Sequence, residues 1–322
     1  MKIHIIMDFQ SGPWGGGNQF LKALRENLKK KNIYTDDPEK SDIAIFNSHH
    51  ALKRAVKYKI KFPEKYLIHR VDGPMSYRGK PGEKLDSKIF NINSKISDGT
   101  IFQSEWSKKE NIKQGMNIDS PDIVIHNAPD PNIFFPSKQN LTKINKKIKL
   151  ISTSWSNSQN KGFDIYHYID NNLDFDKYEM TFIGRVDKPF KNILTLDPIP
   201  SGMLSKKLRD HDIFIFASKT EACSNSLLEG IHSGLPCVVR NTSSNPEVLK
   251  NNGEVFNNEI EALKKIQIIS NKLSYYKRNI KIESLDSITD KLINFCQIIL
   301  YSKSFNKKPT LRLIDRIKLG RM

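Results

Sequence analysis

Short apolar runs alternate with segments of helical spacing along most of the chain. The run "KIHIIMDF" is typical of a buried strand, and in the following "NQFLKALRENLKKK" the apolar residues recur at helical spacing. Further strand-like runs are, in chain order, "SDIAIFNS", "KYLIHRVDG", "DGTIFQS", "PDIVIHNA", "IKLISTSWS", "YEMTFIGR", "NILTLD", "HDIFIFAS" and "LPCVVRN". Helix-forming segments separate most of them. The alternation predicts an α/β protein whose parallel sheets are covered by helices on both faces.

Length and composition indicate two domains. A chain of 322 residues with 38% apolar residues can form two ordinary domains with real cores. The composition turns polar and lysine-rich around residues 137–147, where we place the linker. We therefore predict a domain over residues 1–140 and a second over 141–289, each Rossmann-like and doubly wound. Such domains bind ligands at the carboxyl ends of their strands, in the cleft between them.

The charge of the chain leaves several kinds of partner open. A net charge of +17 attracts nucleic acid, an anionic membrane surface or an acidic small substrate. The lysines are spread along the chain, and no zinc finger, helix-turn-helix or aromatic RNA-binding signature accompanies them, so nucleic acid is not the expected principal partner. The tail "LRLIDRIKLGRM" has an apolar stripe beside basic residues, which suits either a membrane interface or a packed last helix.

The expected compartment is the cytoplasm, with peripheral contact to the inner face of a membrane as an open addition. No run of eighteen apolar residues occurs, and the first residues form a strand-like run rather than a signal peptide. Cys223, Cys237 and Cys296 are too few and too poorly spaced for a zinc site or a disulfide framework. We expect them to be small buried residues.

A glycine run follows the first strand. "SGPWGGGNQF" places three consecutive glycines, residues 15–17, before the first helix, where exposed amides can approach a phosphate closely. Phe20 stands where the dinucleotide fingerprint requires glycine, and no Gly-Lys-Ser/Thr follows, so binding of NAD or ATP is not expected. The remaining alternatives are a phosphate contact and a plain turn.

Two basic residues follow strands in the second half. Lys161 precedes Gly162 at the start of a helix, where a cation adds to the attraction of the helix N-terminus for phosphate. Arg185 ends the strand "TFIGRV" and is a second candidate cation. The alternatives are a solvated turn for Lys161 and an ordinary surface position for Arg185.

The stretch "KTEACSNSLLEGIHSGLPCVV" holds two acids, Glu221 and Glu229. Glu221 follows a strand, residues 224–226 supply amides at a helix start, and Glu229 lies within that helix. This pattern suits a nucleotide sugar: the amides and Lys161 bind the diphosphate, Glu229 holds two ribose hydroxyls, and Glu221 accepts from the sugar. A helix-capping acid beside a surface acid is the structural alternative.

This stretch resembles the signature of the retaining, GT-B-fold glycosyltransferases of family 4, the glycosyl transferases group 1. The signature is a glutamate, seven residues, a second glutamate and then a Gly-x-Pro strand. Other segments resemble the family in the same order along the chain, namely "GGGNQF", "IFQSEWSKK", "VIHNAPDPNIFFP", "NKGFD" and "NPEVL". The resemblance implies the GT-B fold, with the segment from about 290 to 322 packing back on the first domain.

The resemblance also implies an activity. The protein would move a sugar from a nucleoside-diphosphate sugar to an acceptor hydroxyl with retained anomeric configuration, in glycan, polysaccharide or glycolipid synthesis. The acceptor would be a saccharide, a lipid-linked molecule or a protein, and neither a metal nor a cofactor besides the donor is implied. A degenerate protein that binds a nucleotide sugar without turnover, and a nucleotide-sugar epimerase, are the alternatives. Asp174-Phe-Asp176, which could suggest a metal motif, sits in an acidic turn.

The resemblance assigns roles to matching positions. The catalytic residues would be Glu221, Lys161 and His69, and the donor-binding residues would be Glu229, Gly16, Gly17, Ser224, Asn225 and Ser226. To these we add Arg185 as a donor-binding residue from its place at a strand end, and we expect Arg70, Asp72, Tyr77 and Arg78 on the acceptor side. For His69 a structural role at a strand end, with Arg70 and Asp72 as the working pair, is the alternative. Ser156 stands where the family usually has a phosphate-binding arginine, and Arg185 is the candidate replacement.

Overall fold

The computed structural model describes residues 1–10, 16–78, 80–137 and 147–301. They form two compact units. Unit 1 contains residues 1–10, 17–126 and the segment that begins at Leu285, and unit 2 contains Asn127–Ser284. The boundary lies before the polar segment at which the sequence places it, because Ile133 and Phe134 already pack into a core of unit 2. The predicted boundary at residue 140 is corrected accordingly.

The strands and helices follow the alternation that the sequence predicts. In the described part of the chain the strands are β1 (Ile3–Ile6), β2 (Ile43–Asn47), β3 (Tyr66–Val71), β4 (Gly99–Phe102), β5 (Asp122–Val124), β6 (Ile148–Ser154), β7 (Tyr178–Gly184), β8 (Leu194–Leu196), β9 (Ile213–Phe216), β10 (Cys237–Arg240) and β11 (Gly253–Phe256). The helices are α1 (Gly16–Lys30), α2 (Leu52–Lys61), α3 (Lys80–Ile96), α4 (Glu105–Lys113), α5 (Phe163–Asn172), α6 (Ser201–Arg209), α7 (Asn225–His232), α8 (Asn245–Leu249), α9 (Glu259–Asn271), α10 (Leu273–Arg278) and α11 (Leu285–Tyr301). Short 3-10 turns occur at Pro38–Lys40, Met75–Arg78 and Gln159–Lys161.

Unit 1 is built on a parallel sheet with the order β1-β2-β3-β4-β5. On the open side of β1, Tyr34 forms a single parallel bridge with Ile3, and the amide of Thr35 donates to the carbonyl of Ile3 at 3.0 Å. The chain therefore passes first to one side of β1 and then returns to the other. Such a reversal marks the crevice in which open α/β sheets bind ligands, so the carboxyl ends of β1 and β2 border a candidate site.

Helices cover both faces of this sheet. Residues Ala44, Phe46 and Leu67 point to the face that α2 and α3 cover. A Cβ built on Gly99 of β4 would lie 2.3 Å from Cδ1 of Ile299, so α11 packs directly on that strand. Asn27 of α1 donates to both Asp286 and Thr289 of α11 at 2.9 Å. Helix α11 follows unit 2 in the sequence but packs on unit 1.

Unit 2 has a parallel sheet with the order β11-β10-β9-β6-β7-β8. The chain builds outward from β6 through β7 to β8 and then returns to the other side of β6 with β9. The switch point therefore lies between β6 and β9. Apolar side chains fill a separate core on each face, one around Phe214 and Leu227 and the other around Phe182 and Ile215.

Several further expectations have outcomes in the fold. The three cysteines are buried, as predicted. Asp174 and Asp176 lie in the turn between α5 and β7, and the carboxylate of Asp174 pairs with Nζ of Lys177 at 2.9 Å. Among the described helices, none combines the length and the apolar character needed to cross a bilayer. The tail after Tyr301 and most of the polar segment around 140 lie outside the described residues.

Candidate functional site

An ion pair occupies the switch point of unit 2. Nζ of Lys161, at the end of the turn after β6, lies 2.7 Å from Oε1 of Glu221, which follows β9. The hydroxyl of Ser218 is also 2.7 Å from that oxygen. Both charged side chains are partly exposed, so the pair is accessible to solvent. The structure thus brings together the cation and the first acid that the sequence predicts.

Hydrogen bonds from a neighbouring loop fix Glu221. Its amide donates to the hydroxyl of Ser243 at 3.0 Å, and its carbonyl accepts from the hydroxyl of Ser244 at 2.8 Å. The amide of Lys219 donates to the carbonyl of Asn160 at 2.7 Å, which ties the loop after β9 to the turn that carries Lys161. The ion pair therefore sits on a backbone that is held in place before any ligand binds.

Helix α7 begins beside this pair. The hydroxyl of Ser224 caps the helix by accepting from the amide of Leu227 at 3.3 Å. Oδ1 of Asn225 accepts from Nδ2 of Asn127 at 2.8 Å, and the hydroxyls of Ser226 and Thr153 form a hydrogen bond. The side chains predicted to line the helix start are thus bonded within the protein, which leaves backbone amides as the groups for an anion.

Glu229 occupies the second turn of α7. It is partly exposed, and no hydrogen bond or ion pair to its carboxylate is found within residues 1–10, 16–78, 80–137 and 147–301. Burial raises the pKa of this carboxyl group from 4.5 to about 8. A carboxylate kept in a desolvated position without a partner is costly, and a ligand that donates hydrogen bonds to it would offset that cost.

We predict that Glu229→Gln stabilises the ligand-free protein at alkaline pH. The native pKa lies above the unfolded value, so ionisation lowers stability as the pH rises from about 4.5 to about 8. Glutamine has nearly the same shape and no charge to desolvate. The free energy of unfolding of the Glu229→Gln variant should exceed that of the wild type by about 1–3 kcal/mol at pH 8.5, with no difference near pH 4. Urea unfolding at both pH values measures this, and an equal effect at both would contradict it.

Arg185 lies at the same edge of the sheet of unit 2. Its amide donates to the carbonyl of Ser154 at the end of β6, at 3.1 Å, and its side chain is exposed. Gly184 permits this approach, because a Cβ there would lie 1.8 Å from the same carbonyl oxygen. Ser156 lies in the polar turn after β6, where its carbonyl accepts from the hydroxyl of Ser154 at 2.8 Å. The described residues provide no ion-pair partner for Arg185.

His69 lies inside unit 1. Its ring is fully buried, stacks on Phe46 with centroids 4.0 Å apart, and hydrogen bonds to the carbonyl of Ser48 at 3.0 Å and to Nδ2 of Asn93 at 3.2 Å. Burial lowers the pKa of the imidazole to about 3. The geometry is that of the structural alternative, a neutral core histidine between the sheet and α3, and not that of a group that reaches a substrate.

Arg70 and Asp72 form the polar pair at the end of β3. The buried guanidinium of Arg70 donates to Oδ1 of Asn47 and lies 3.7 Å from Oδ1 of Asp72. Its Cζ is 4.9 Å from the ring centroid of Phe20. Asp72 keeps 25% of its side chain exposed and accepts from Gln103. Asp72 is therefore the member of the pair that a ligand can reach.

The other predicted residues of unit 1 lie near the same edge. Gly16 begins α1, and a Cβ on Gly17 would lie 3.5 Å from Nδ2 of Asn47. The earlier residues of the glycine run lie outside the described part of the chain. Tyr77 is partly exposed in the 3-10 turn after β3, and Arg78 ends that turn, with its side chain outside the described part.

Comparison with known proteins identifies the fold. Residues 177–269 match the family described as glycosyl transferases group 1. Among solved structures, the chain is similar to Anabaena Alr3699/HepE in complex with UDP and glucose, with a TM-score of 0.71, 14% identity, and coverage of 92% of this chain and 99% of that chain. The fold is GT-B. The complex of the same protein with UDP-glucose gives a TM-score of 0.67 at 14% identity, covering 94% and 99% of the two chains. Sucrose-phosphate synthase (tll1590) from Thermosynechococcus elongatus gives 0.64 at 10% identity, covering 96% and 99%.

The GT-B fold and the match over residues 177–269 confirm the resemblance that the sequence suggests. The matched segment contains both glutamates of the candidate site. No curated protein sequence matches the chain significantly.

Sequence reasoning missed part of this GT-B site. Ser218, Ser243 and Ser244 hold Glu221, and Thr153 pairs with Ser226. Ser218 lies in the loop after β9, Ser243 and Ser244 lie in the loop after β10, and Thr153 is the penultimate residue of β6, and these positions near strand ends were the available signal. Single serines and threonines are common in loops, however, so their position alone does not separate them from ordinary turn residues.

Proposed function

We propose that this protein is a glycosyltransferase that moves a sugar from a nucleoside-diphosphate sugar to an acceptor hydroxyl with retained anomeric configuration. The observation that carries the proposal is the desolvated carboxyl group of Glu229, for which the described residues offer no partner, in the helix that follows the accessible Lys161–Glu221 pair at the switch point of unit 2. The GT-B structures that are similar to this chain include complexes with UDP and with UDP-glucose, which supports a donor of this chemical class.

Glu229 holds the ribose in this proposal. A carboxylate has two acceptor oxygens, and a ribose presents two adjacent hydroxyl donors, so one group satisfies the other. Hydrogen bonds to the ionised form favour it, and donor binding should therefore lower the raised pKa of Glu229. The ionised carboxylate of Glu229 is destabilising in the free protein, and hydrogen bonds from the ribose hydroxyls stabilise it in the complex.

Lys161 and the first amides of α7 bind the diphosphate. Negative charge grows on the leaving phosphate as the sugar–oxygen bond breaks, and fixed positive groups aimed at that charge lower the barrier. Arg185 supplies the positive charge that an arginine at position 156 would otherwise bring to the diphosphate. Glu221, held beside Lys161, accepts from hydroxyls of the donor sugar. The leaving phosphate helps to remove the proton of the acceptor hydroxyl, so no separate base and no metal is required.

Asp72 and Arg70 act on the acceptor side. The accessible carboxylate of Asp72 accepts a hydrogen bond from the acceptor, and the buried guanidinium of Arg70, 3.7 Å away, orients that carboxylate. His69 has no part in this scheme, since its ring is enclosed by Phe46, Ser48 and Asn93. Its role is to support the strand that carries Arg70.

One observation favours a second candidate, a protein that binds a nucleotide sugar without turnover. Ser156 stands where the family usually has a phosphate-binding arginine, and its carbonyl accepts a hydrogen bond from the hydroxyl of Ser154. If Arg185 does not reach the diphosphate, stabilisation of the leaving group would be incomplete. A nucleotide-sugar epimerase would instead change the donor without an acceptor, and analysis of the products separates these possibilities.

Binding of nucleoside diphosphates tests the ribose contact. We expect one of UDP, GDP and ADP to raise the melting temperature of the wild type, and Glu229→Ala to weaken its binding about tenfold or more, as loss of a charged hydrogen-bond acceptor implies. Isothermal titration of folded protein measures the affinity. Glu259→Ala, which removes an exposed acid at the start of α9, is the matched control. Equal affinities for both variants would contradict the proposed ribose contact.

A further inference from the structure

The segment 72–78 of unit 1 is rigidly held between two helices. The carboxylate of Asp86 in α3 accepts from the amides of Met75 and Ser76, both at 2.8 Å. A Cβ on Gly82 would lie 1.8 Å from the carbonyl oxygen of Met75, so α3 touches this backbone directly. The segment is therefore preorganised, which lowers the entropic cost of any binding that uses it.

Helix α4 holds the same segment from the other side. The carbonyl of Asp72 accepts from the hydroxyl of Ser107 at 3.1 Å and from Nδ2 of Asn111 at 2.8 Å. Positions 107 and 111 are one helical turn apart and lie on one face of α4. These bonds fix the backbone of Asp72, while its carboxylate stays accessible.

Two aromatic rings lie along the same helix. Tyr77 and Trp106 are stacked, with ring centroids 5.8 Å apart and an interplanar angle of 30°. The hydroxyl of Tyr77 donates to Glu110, one turn after Trp106 in α4. This bond fixes the ring, yet 40% of Tyr77 remains exposed to solvent. A tyrosine that served only the core would have a buried ring. Here the hydroxyl of Tyr77 is bonded within the protein, and the ring stays exposed to solvent.

Asp72 and the two rings are anchored along the same stretch of α4. The backbone carbonyl of Asp72 is bonded to positions 107 and 111 of α4, and Tyr77 contacts positions 106 and 110. The residue that carries the accessible carboxylate and the exposed, fixed aromatic ring are thus held by adjacent turns of one helix. A pyranose has a complementary surface, because one face of the ring carries C–H groups that pack on an aromatic ring while its rim carries hydroxyl donors.

We propose that Tyr77, supported by Trp106, and Asp72 form a pyranose-binding subsite. On the basis of the proposed function, this subsite holds the acceptor, whose terminal unit is then a sugar ring, either free or at the end of a longer or lipid-linked glycan. Tyr77 contacts the apolar face of the ring and Asp72 accepts from one of its hydroxyls. Trp106 and Glu110 are positioning residues for Tyr77.

Saturation-transfer NMR with full-length protein tests this inference without a donor. The probes are the methyl α- and β-pyranosides of glucose, galactose, mannose and N-acetylglucosamine, each with and without UDP. We expect at least one probe to bind, with the strongest transfer to ring protons on one face. Tyr77→Ala should raise the Kd of that probe at least about fivefold, while Tyr77→Phe, which keeps the ring but loses the bond to Glu110, should raise it less. Tyr275→Ala, which removes a tyrosine of unit 2 that is 60% exposed, is the control.

The outcomes separate this inference from the proposed function. Absence of binding for every probe, or equal binding by Tyr77→Ala and the wild type, overturns the subsite even when a nucleotide binds normally. Pyranoside binding that depends on Tyr77, in a protein that binds no nucleotide, supports the subsite and contradicts the proposed transferase. The melting temperature, measured on the same samples, identifies a variant that is misfolded.

Discussion

Lys161→Ala is expected to lower kcat/KM for sugar transfer by about 100- to 1,000-fold, as removal of one group that stabilises a transition-state anion does. Lys161 is the nearest cation to Glu221, at 2.7 Å, and it stands beside the amides of α7. Charge on the leaving phosphate is larger in the transition state than in the bound donor. Loss of the ammonium group should therefore reduce kcat more than it raises KM.

Steady-state rates of wild type, Lys161→Ala and Lys161→Arg measure this effect. Arginine keeps the charge but changes its geometry, so it should restore only part of the rate. Lys177→Ala, which removes an exposed lysine paired with Asp174 in a distant turn of unit 2, is the matched control. A loss of less than about tenfold in Lys161→Ala would mean that another cation carries the phosphate contact.

Gly162→Ala is expected to destabilise the protein by about 2–5 kcal/mol, the sum of a left-handed backbone and an overpacked contact. Gly162 has φ +79°, and a Cβ there would lie 2.0 Å from the carbonyl oxygen of Ala217. The turn after β6 and the end of β9 both border the switch point. Neither segment can therefore move to relieve the contact without disturbing the site. Because Gly162 follows Lys161 directly, the variant should also lose activity beyond its loss of stability.

Two other glycines separate the energetic cost of the left-handed backbone from that of the overpacked contact. Gly115 has φ +97° with no heavy atom near a built Cβ, so Gly115→Ala should show only the backbone cost of about 1–2 kcal/mol. Gly202 lies in α6 with no positive φ and no near atom, so Gly202→Ala should be neutral or stabilising by up to about 1 kcal/mol. Urea unfolding of the three variants tests the order. A Gly162→Ala protein as stable as Gly115→Ala would show that Ala217 yields readily.

The fold was largely predictable because its signals are local. Each apolar run of strand length became a strand, since a parallel sheet buries both faces of its strands. The predicted domain boundary was wrong because a polar composition marks exposed chain, and Ile133 and Phe134 enter the core of unit 2 before that exposure begins. The bridge at Tyr34 was missed because one residue carries no periodicity.

The sequence could predict the site residues that follow strands, but it could not predict which side chains become partners in space. Lys161 and Glu221 could be paired from sequence because both follow strands that border one switch point. His69 and Arg70 are adjacent, so they point to opposite faces of β3, and the sequence does not show which face meets the polar side chain of Asn93. Nor does the spacing of Glu221 and Glu229 in the sequence show that Lys161 pairs with the first carboxylate, whereas the second has no ion-pair partner within the described residues.

Nucleotide release from a panel of UDP-, GDP- and ADP-sugars, with wild type and Glu229→Ala in parallel, tests whether the protein is a transferase that uses Glu229 to bind its donor. We expect the wild type to release nucleoside diphosphate from one donor class, faster when a saccharide acceptor is present, and Glu229→Ala to lose this release while remaining folded. If folded wild-type protein releases no nucleotide from any donor of the panel, or if Glu229→Ala releases it as fast as the wild type, the proposal is contradicted.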